Sequence, residues 1–188
     1  MLSSVSEPRW QSLRRGILAR APRELGRWVR DDSSLTRRVV RACGADFAVK
    51  VIFQGWQRPY ASEAALLGTP PRERTLVREV TLMCGADRWV FARTLIPLAS
   101  LRGRAVALAT LGARPLGAVL FADPTTRRRR VEVARIRPGH RLYTEAVEGR
   151  PVAAADLWGR RTLFVFGGRP LLVNEIFLPA IAQRTGPA

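Results

Sequence analysis

Two hydrophobic rhythms divide the chain. Near the start, Leu25, Trp28 and Val29 recur at spacings that share one helical face, after Pro22-Arg23-Glu24, a fitting first turn for a helix. Asp32, Ser33 and Ser34 then supply side-chain oxygens for an N-cap, and Leu35, Val39 and Val40 form the apolar stripe of a second helix. From residue 46 the period drops to two: Phe47, Val49, Val51 and Phe53 alternate with Ala48, Lys50, Ile52 and Gln54, as in a strand. Residues 55 to 74, with several prolines and Gly68, read as a long connection or short helix.

Residues 75–84 and 88–96 are two further strands, joined through Gly85-Ala86-Asp87, a link so short that the pair must be an antiparallel hairpin. Pro97 ends the second. Residues 98–122 are expected to be helical in two pieces, broken between Gly112 and Pro115. Residues 129–137 alternate again, Val131 and Val133 facing one way and Ala134 and Ile136 the other. A last hairpin covers 161–166 and 171–178 around Gly167-Gly168-Arg169-Pro170. Most strand connections are too short for crossover helices, which disfavours a parallel sheet. The expectation is a single α+β domain over 1–188, an antiparallel sheet of about five or six strands with helices over one face. The first ~20 residues are expected to be the least ordered.

Composition changes the picture little at first. The chain has 188 residues, 47% of them hydrophobic, enough for one core enclosing a small ligand. No apolar run reaches the roughly 18 residues needed to span a bilayer, and the N-terminus lacks a secretory pattern, so the sequence reads as cytoplasmic. With only Cys43, Cys84 and His140, a zinc site from the usual sulfur and nitrogen ligands cannot be assembled, and no metal is expected. In the cytoplasm both thiols are expected to be reduced. His140, in an apparent turn, reads as a surface residue. The net charge of +17 comes almost wholly from arginine, and the run Arg127 to Arg130 lacks interleaved aromatics, so it reads as a solvated loop or strand entry rather than a nucleic-acid patch.

Charge placed on apolar strand faces is more informative. Arg78 shares a face with Leu76, Val80 and Leu82; Arg93 with Trp89, Phe91 and Leu95; Glu175 with Leu171, Val173 and Phe177. All three are expected to point inward. A buried guanidinium needs compensation, because transferring an ion into a protein interior costs several kcal/mol. One solution is an internal Arg–Glu bridge between strands. Another is an anionic ligand, since two arginines and one glutamate leave an excess positive charge and a guanidinium fork matches a carboxylate in two-point geometry. A third is that one arginine snorkels to solvent.

At these positions the chain resembles chorismate lyase. The shared pieces run from Asp32-Ser33-Ser34-Leu35-Thr36-Arg37-Arg38, through Val77-Arg78-Glu79-Val80 and Ala92-Arg93-Thr94, to Leu111-Gly112 and Pro115-Leu116-Gly117. They continue with Leu157-Trp158-Gly159-Arg160-Arg161, Gly168-Arg169-Pro170-Leu171-Leu172 and Asn174-Glu175-Ile176-Phe177-Leu178-Pro179. The resemblance implies a cofactor-independent enzyme that converts chorismate to 4-hydroxybenzoate and pyruvate at the start of the ubiquinone pathway. It implies a buried pocket under helical flaps, with Arg78 on the ring carboxylate and backbone N–H groups around Leu35 and Leu116 adding hydrogen bonds. Arg93 and Glu175 would contact the oxygen that becomes the phenol. Separately from the resemblance, the chain is expected to be a monomer. Residues 136–156, containing Tyr143 and Glu145, depart from the family's pattern. The rival reading is a non-catalytic carboxylate-binding domain, since the ligand-sensing domains of some winged-helix regulators resemble the same fold; the residues before the first helix are too few to hold a DNA-binding domain. A nucleic-acid binder acting through its arginine surface is a third.

Overall fold

A computed structural model describes residues 6–13, 21–31, 33–148 and 156–183. Seven strands form one sheet: β1 (Gln11–Ser12), β2 (Phe47–Gln57), β3 (Thr75–Cys84), β4 (Asp87–Pro97), β5 (Arg127–Ile136), β6 (Leu157–Phe166) and β7 (Arg169–Phe177). Their order is β1-β5-β6-β7-β4-β3-β2, and every paired strand is antiparallel. Six of the seven match the alternating segments of the sequence. The seventh, β1, is a two-residue edge pairing too short to show a rhythm.

Helices α1 (Arg23–Arg30) and α2 (Leu35–Cys43) lie over the front face of the sheet, where Val29 and Val39 pack with Val80, Leu82 and Val90. Ser34 caps α2, its hydroxyl accepting from the Arg37 N–H at 3.3 Å. The predicted helical pair after Pro97 is two 3-10 stretches, Leu98–Ser100 and Gly103–Thr110, followed by the short helix α4 (Leu116–Leu120). Leu108, Leu111 and Leu120 cover the lower front of the sheet against Leu76, Phe164 and Leu171.

Helices were expected on one face, but two more occupy the back. Helix α3 (Ala61–Leu67) seats Leu67 on Val77, Leu95 and Leu172. Helix α5 (Arg141–Val147) seats Leu142 and Ala146 on Phe91, Ala134 and Ile176. The central strands β3, β4 and β7 are therefore buried on both sides, and an inward-pointing charge on them can belong to either of two interiors. A final helix, α6 (Pro179–Gln183), adds Ile181 to the upper front core.

The two cysteines correct the expectation of reduced thiols: Cys43 and Cys84 form a disulfide, with Cα atoms 5.6 Å apart. The sequence separation of 41 hides the proximity. After α2 a 3-10 turn (Gly44–Asp46) feeds straight into β2, whose first residue, Phe47, pairs with Cys84 at the end of β3. The end of the helix is thereby set beside the end of the strand. Arg127 to Arg130 lie in β5, and His140 stands before α5, its Nδ1 accepting from the Arg137 N–H at 2.9 Å. No helix of the described residues is long and apolar enough to cross a membrane.

Candidate active site

On the front face, between the sheet and its helical roof, lies a cavity whose floor carries Arg78 from β3, Thr94 from β4, and Val173 and Glu175 from β7. Strand register puts them together: Arg78 is paired with Thr94, Thr94 with Val173, and Ala92 with Glu175. The roof comes from the first turns of two helices. Leu35 opens α2 and Leu116 opens α4, and both line the cavity. The N–H groups at a helix start have no acceptor within the helix, so they are available to an oxygen below them. The two helix starts meet at Gly117, where a Cβ would lie 3.0 Å from Thr36 Oγ1 and 3.1 Å from Ser34 Oγ. A side chain there would crowd both hydroxyls, so the approach of the two helices is closest with glycine.

Arg78 is 3% exposed, and its recorded partners are all neutral. Nη1 donates to Gln54 Oε1 at 3.0 Å, and Nη2 donates to the Gly112 carbonyl at 2.8 Å and the Arg114 carbonyl at 3.4 Å. Burial disfavours the charged form, moving its pKa below the ordinary arginine value. Among the described residues, an amide and carbonyl dipoles hold the guanidinium in place without neutralising it, an arrangement that favours an anion beside it.

Glu175 is held differently. Arg160, on the neighbouring strand β6, is its cross-strand partner, and Nε donates to Glu175 Oε2 at 2.7 Å. The Nη1 of the same guanidinium donates to the Asp31 and Val29 carbonyls, at the end of α1. Arg160 thus fixes the carboxylate and fastens the end of a roof helix to the sheet, in the position where a cation meets orphan helix carbonyls favourably. Sequence reading missed Arg160 because it began the strand at 161. The alternation of Trp158, Arg160, Thr162 and Phe164, on the front face, was the available signal.

Arg93, expected beside Glu175, does not line this cavity. It points to the back face and is fully buried, with Nη1 donating to Glu79 Oε1 at 2.5 Å and Nε to Glu63 Oε1 at 3.1 Å. Its guanidinium lies 4.3 Å above the centre of the Tyr60 ring. The reason is one residue of register. At the hairpin turn Met83 pairs with Arg88, and continued without interruption that ladder would set Arg78 opposite Arg93 on one face. A bulge at Trp89 shifts the pairing, so Arg78 faces Thr94 and Glu79 faces Arg93. A single-residue slip moves every later side chain to the other face. Of the alternatives left open by the sequence, Arg93 takes the internal bridge. In this cluster burial pushes the Glu63 and Glu79 carboxyls up, against the Arg93 charge that pulls them down. Burial works against the Arg93 charge too, but the surrounding acidic groups outweigh it and hold the guanidinium protonated.

The chain is similar to known proteins over nearly its whole length. The chorismate lyase family model matches residues 7–186. A probable chorismate pyruvate-lyase from Methylococcus capsulatus is 47% identical over 154 residues, 82% of this chain and 94% of that protein. One from Methylobacillus flagellatus is 38% identical over 175 residues, 93% of this chain and 95% of that protein. Among solved structures, a GntR-family transcriptional regulator from Bacillus cereus superposes with a TM-score of 0.54 at 15% identity, covering 77% of this chain and 96% of that one. The PhnF C-terminal domain gives 0.53 at 12% identity, covering 70% and 82%. These two likenesses show a shared fold and nothing further. The family match across nearly the whole chain, and identities of this size over most of it, establish that the chain belongs to the chorismate lyase family.

Proposed function

We propose that this chorismate lyase turns chorismate into 4-hydroxybenzoate and pyruvate in the front cavity, with Arg78 binding the ring carboxylate and Glu175 meeting the ring hydroxyl. The observation that carries the reading is Arg78 itself, a buried guanidinium whose recorded partners are all neutral, aimed into a cavity that holds a carboxylate at another point. The N–H groups of Leu35 and Leu116 are assigned to the ligand's oxygens from above.

The reaction needs no redox change. The bond between the ring and the enolpyruvyl ether oxygen breaks, a ring hydrogen leaves as a proton, and the ring becomes aromatic. The released enolpyruvate takes a proton at carbon and becomes pyruvate. The residues present contribute orientation and charge stabilisation: Arg78 anchors one end, Glu175 accepts a hydrogen bond from the hydroxyl at the other, and the roof excludes water, which strengthens both. Arg93 has no assigned contact with substrate and serves as the central ion of the back-face cluster.

We assign the reaction to a monomer and to the cytoplasm, where chorismate, a dianion that does not cross a bilayer unaided, is at hand. The test is formation of both products from chorismate by purified protein without added metal or nucleotide. Absence of turnover would sink the assignment.

A further inference from the structure

The cavity has a second guanidinium that the reading above leaves unused. Arg128 lies in β5 and lines the same cavity. Its guanidinium carbon sits 5.2 Å from the centre of the Phe121 ring and 5.5 Å from that of Phe164, and Nη2 donates to the Ser33 carbonyl at 2.7 Å. Phe121 closes α4 and Ser33 stands just before the cap of α2, so Arg128 touches the ends of both roof elements where they meet the sheet.

Its place across the sheet matters most. The strands run β5-β6-β7-β4-β3, so Arg128 enters from one side of the cavity floor and Arg78 from the other, with Glu175 on β7 between them. Four strand spacings separate β5 from β3, roughly 19 Å of backbone that the two long side chains narrow from both sides. Chorismate carries two carboxylates. One is on the ring, para to the hydroxyl, and the other is on the enolpyruvyl ether, attached at the ring carbon next to the hydroxyl. With the ring carboxylate at Arg78 and the hydroxyl at Glu175, the enolpyruvyl group projects beyond Glu175, away from β3.

We propose that Arg128 binds the enolpyruvyl carboxylate of chorismate and is the residue by which the cavity distinguishes substrate from product. 4-Hydroxybenzoate has lost that carboxylate and makes no use of the site. The inference rests on the reading of the front cavity as the chorismate site. A planar guanidinium set beside the Phe121 and Phe164 rings and tied at Nη2 to the Ser33 carbonyl has a restricted orientation, and its fork can meet a carboxylate at two points, which lysine cannot do.

The experiment compares wild type, Arg128→Met and Arg128→Lys by steady-state kinetics on chorismate and by equilibrium binding of 4-hydroxybenzoate. The expected result is a KM for chorismate raised at least tenfold in Arg128→Met and less in Arg128→Lys, with the 4-hydroxybenzoate Kd within about twofold of wild type in both. An unchanged KM overturns the proposal. So does a parallel loss of substrate and product affinity, because a guanidinium that merely holds the roof would affect both ligands alike. If wild type itself fails to turn over chorismate, the broader reading of the cavity falls; if only the variants behave like wild type, this inference falls alone.

Discussion

Arg160 and Glu175 sit opposite each other on adjacent strands, Nε 2.7 Å from Oε2, and the same guanidinium holds the carbonyls that end α1. The pair joins the floor of the cavity to its roof, and the proposed function predicts that Arg160 influences the reaction through Glu175. A double-mutant cycle separates this from a general loss of stability. Arg160→Met and Glu175→Gln are each expected to lower kcat/KM by about tenfold or more, with the double variant little worse than either, a coupling of roughly 1–3 kcal/mol. Additive effects would show that Arg160 contributes only to folding.

The back-face cluster predicts a pH dependence of stability. Burial raises the Glu63 and Glu79 carboxyls above the ordinary value of 4.5. The folded chain therefore retains protons there that the unfolded chain has released. The stability these groups contribute is fully present below about pH 4.5 and declines as the pH rises through their folded values. Glu79→Gln removes one titrating group and keeps the shape. Thermal unfolding across pH 4.5 to 8 is expected to fall less steeply in that variant, by roughly 2–4 °C for each kcal/mol relieved. Identical slopes in the two proteins would be inconsistent with the raised carboxyls.

The Cys43–Cys84 bridge closes a loop spanning a sequence separation of 41, which in the chain-entropy picture stabilises by about 4 kcal/mol. Chemical denaturation with and without reductant measures it, and a lower midpoint is expected on reduction. Coincident curves, with both thiols shown to be free in the reduced sample, would contradict the linkage.

Alternation located six strands and identified Arg78 and Glu175 as charges on apolar faces, and both line the cavity. Period alone says that a side chain faces inward, without saying which interior it faces. The family resemblance sets Arg93 beside Glu175, whereas a bulge at Trp89, invisible in a pattern of apolar residues, turns it toward the second buried face that helices α3 and α5 create. Arg128 lay in plain view, but a run of four arginines in a chain of net charge +17 reads as surface. Its half-buried place beside Phe121 and Phe164 depends on contacts with Phe164 on the next strand and Ser33 at the start of a roof helix, both distant in sequence. The disulfide was hidden for a similar reason, since its two ends meet only after a helix, a turn and a hairpin have formed.

Arg78 is the proposed anchor of an acid-bearing ligand in the front cavity. Calorimetric titration of 4-hydroxybenzoate into wild type and Arg78→Met is the direct measurement. Loss of a partner for a buried carboxylate is worth about 2–5 kcal/mol, so the variant should bind between roughly 30- and 5,000-fold more weakly while keeping the wild-type melting profile within a few degrees. Equal affinity in the two proteins would contradict the account.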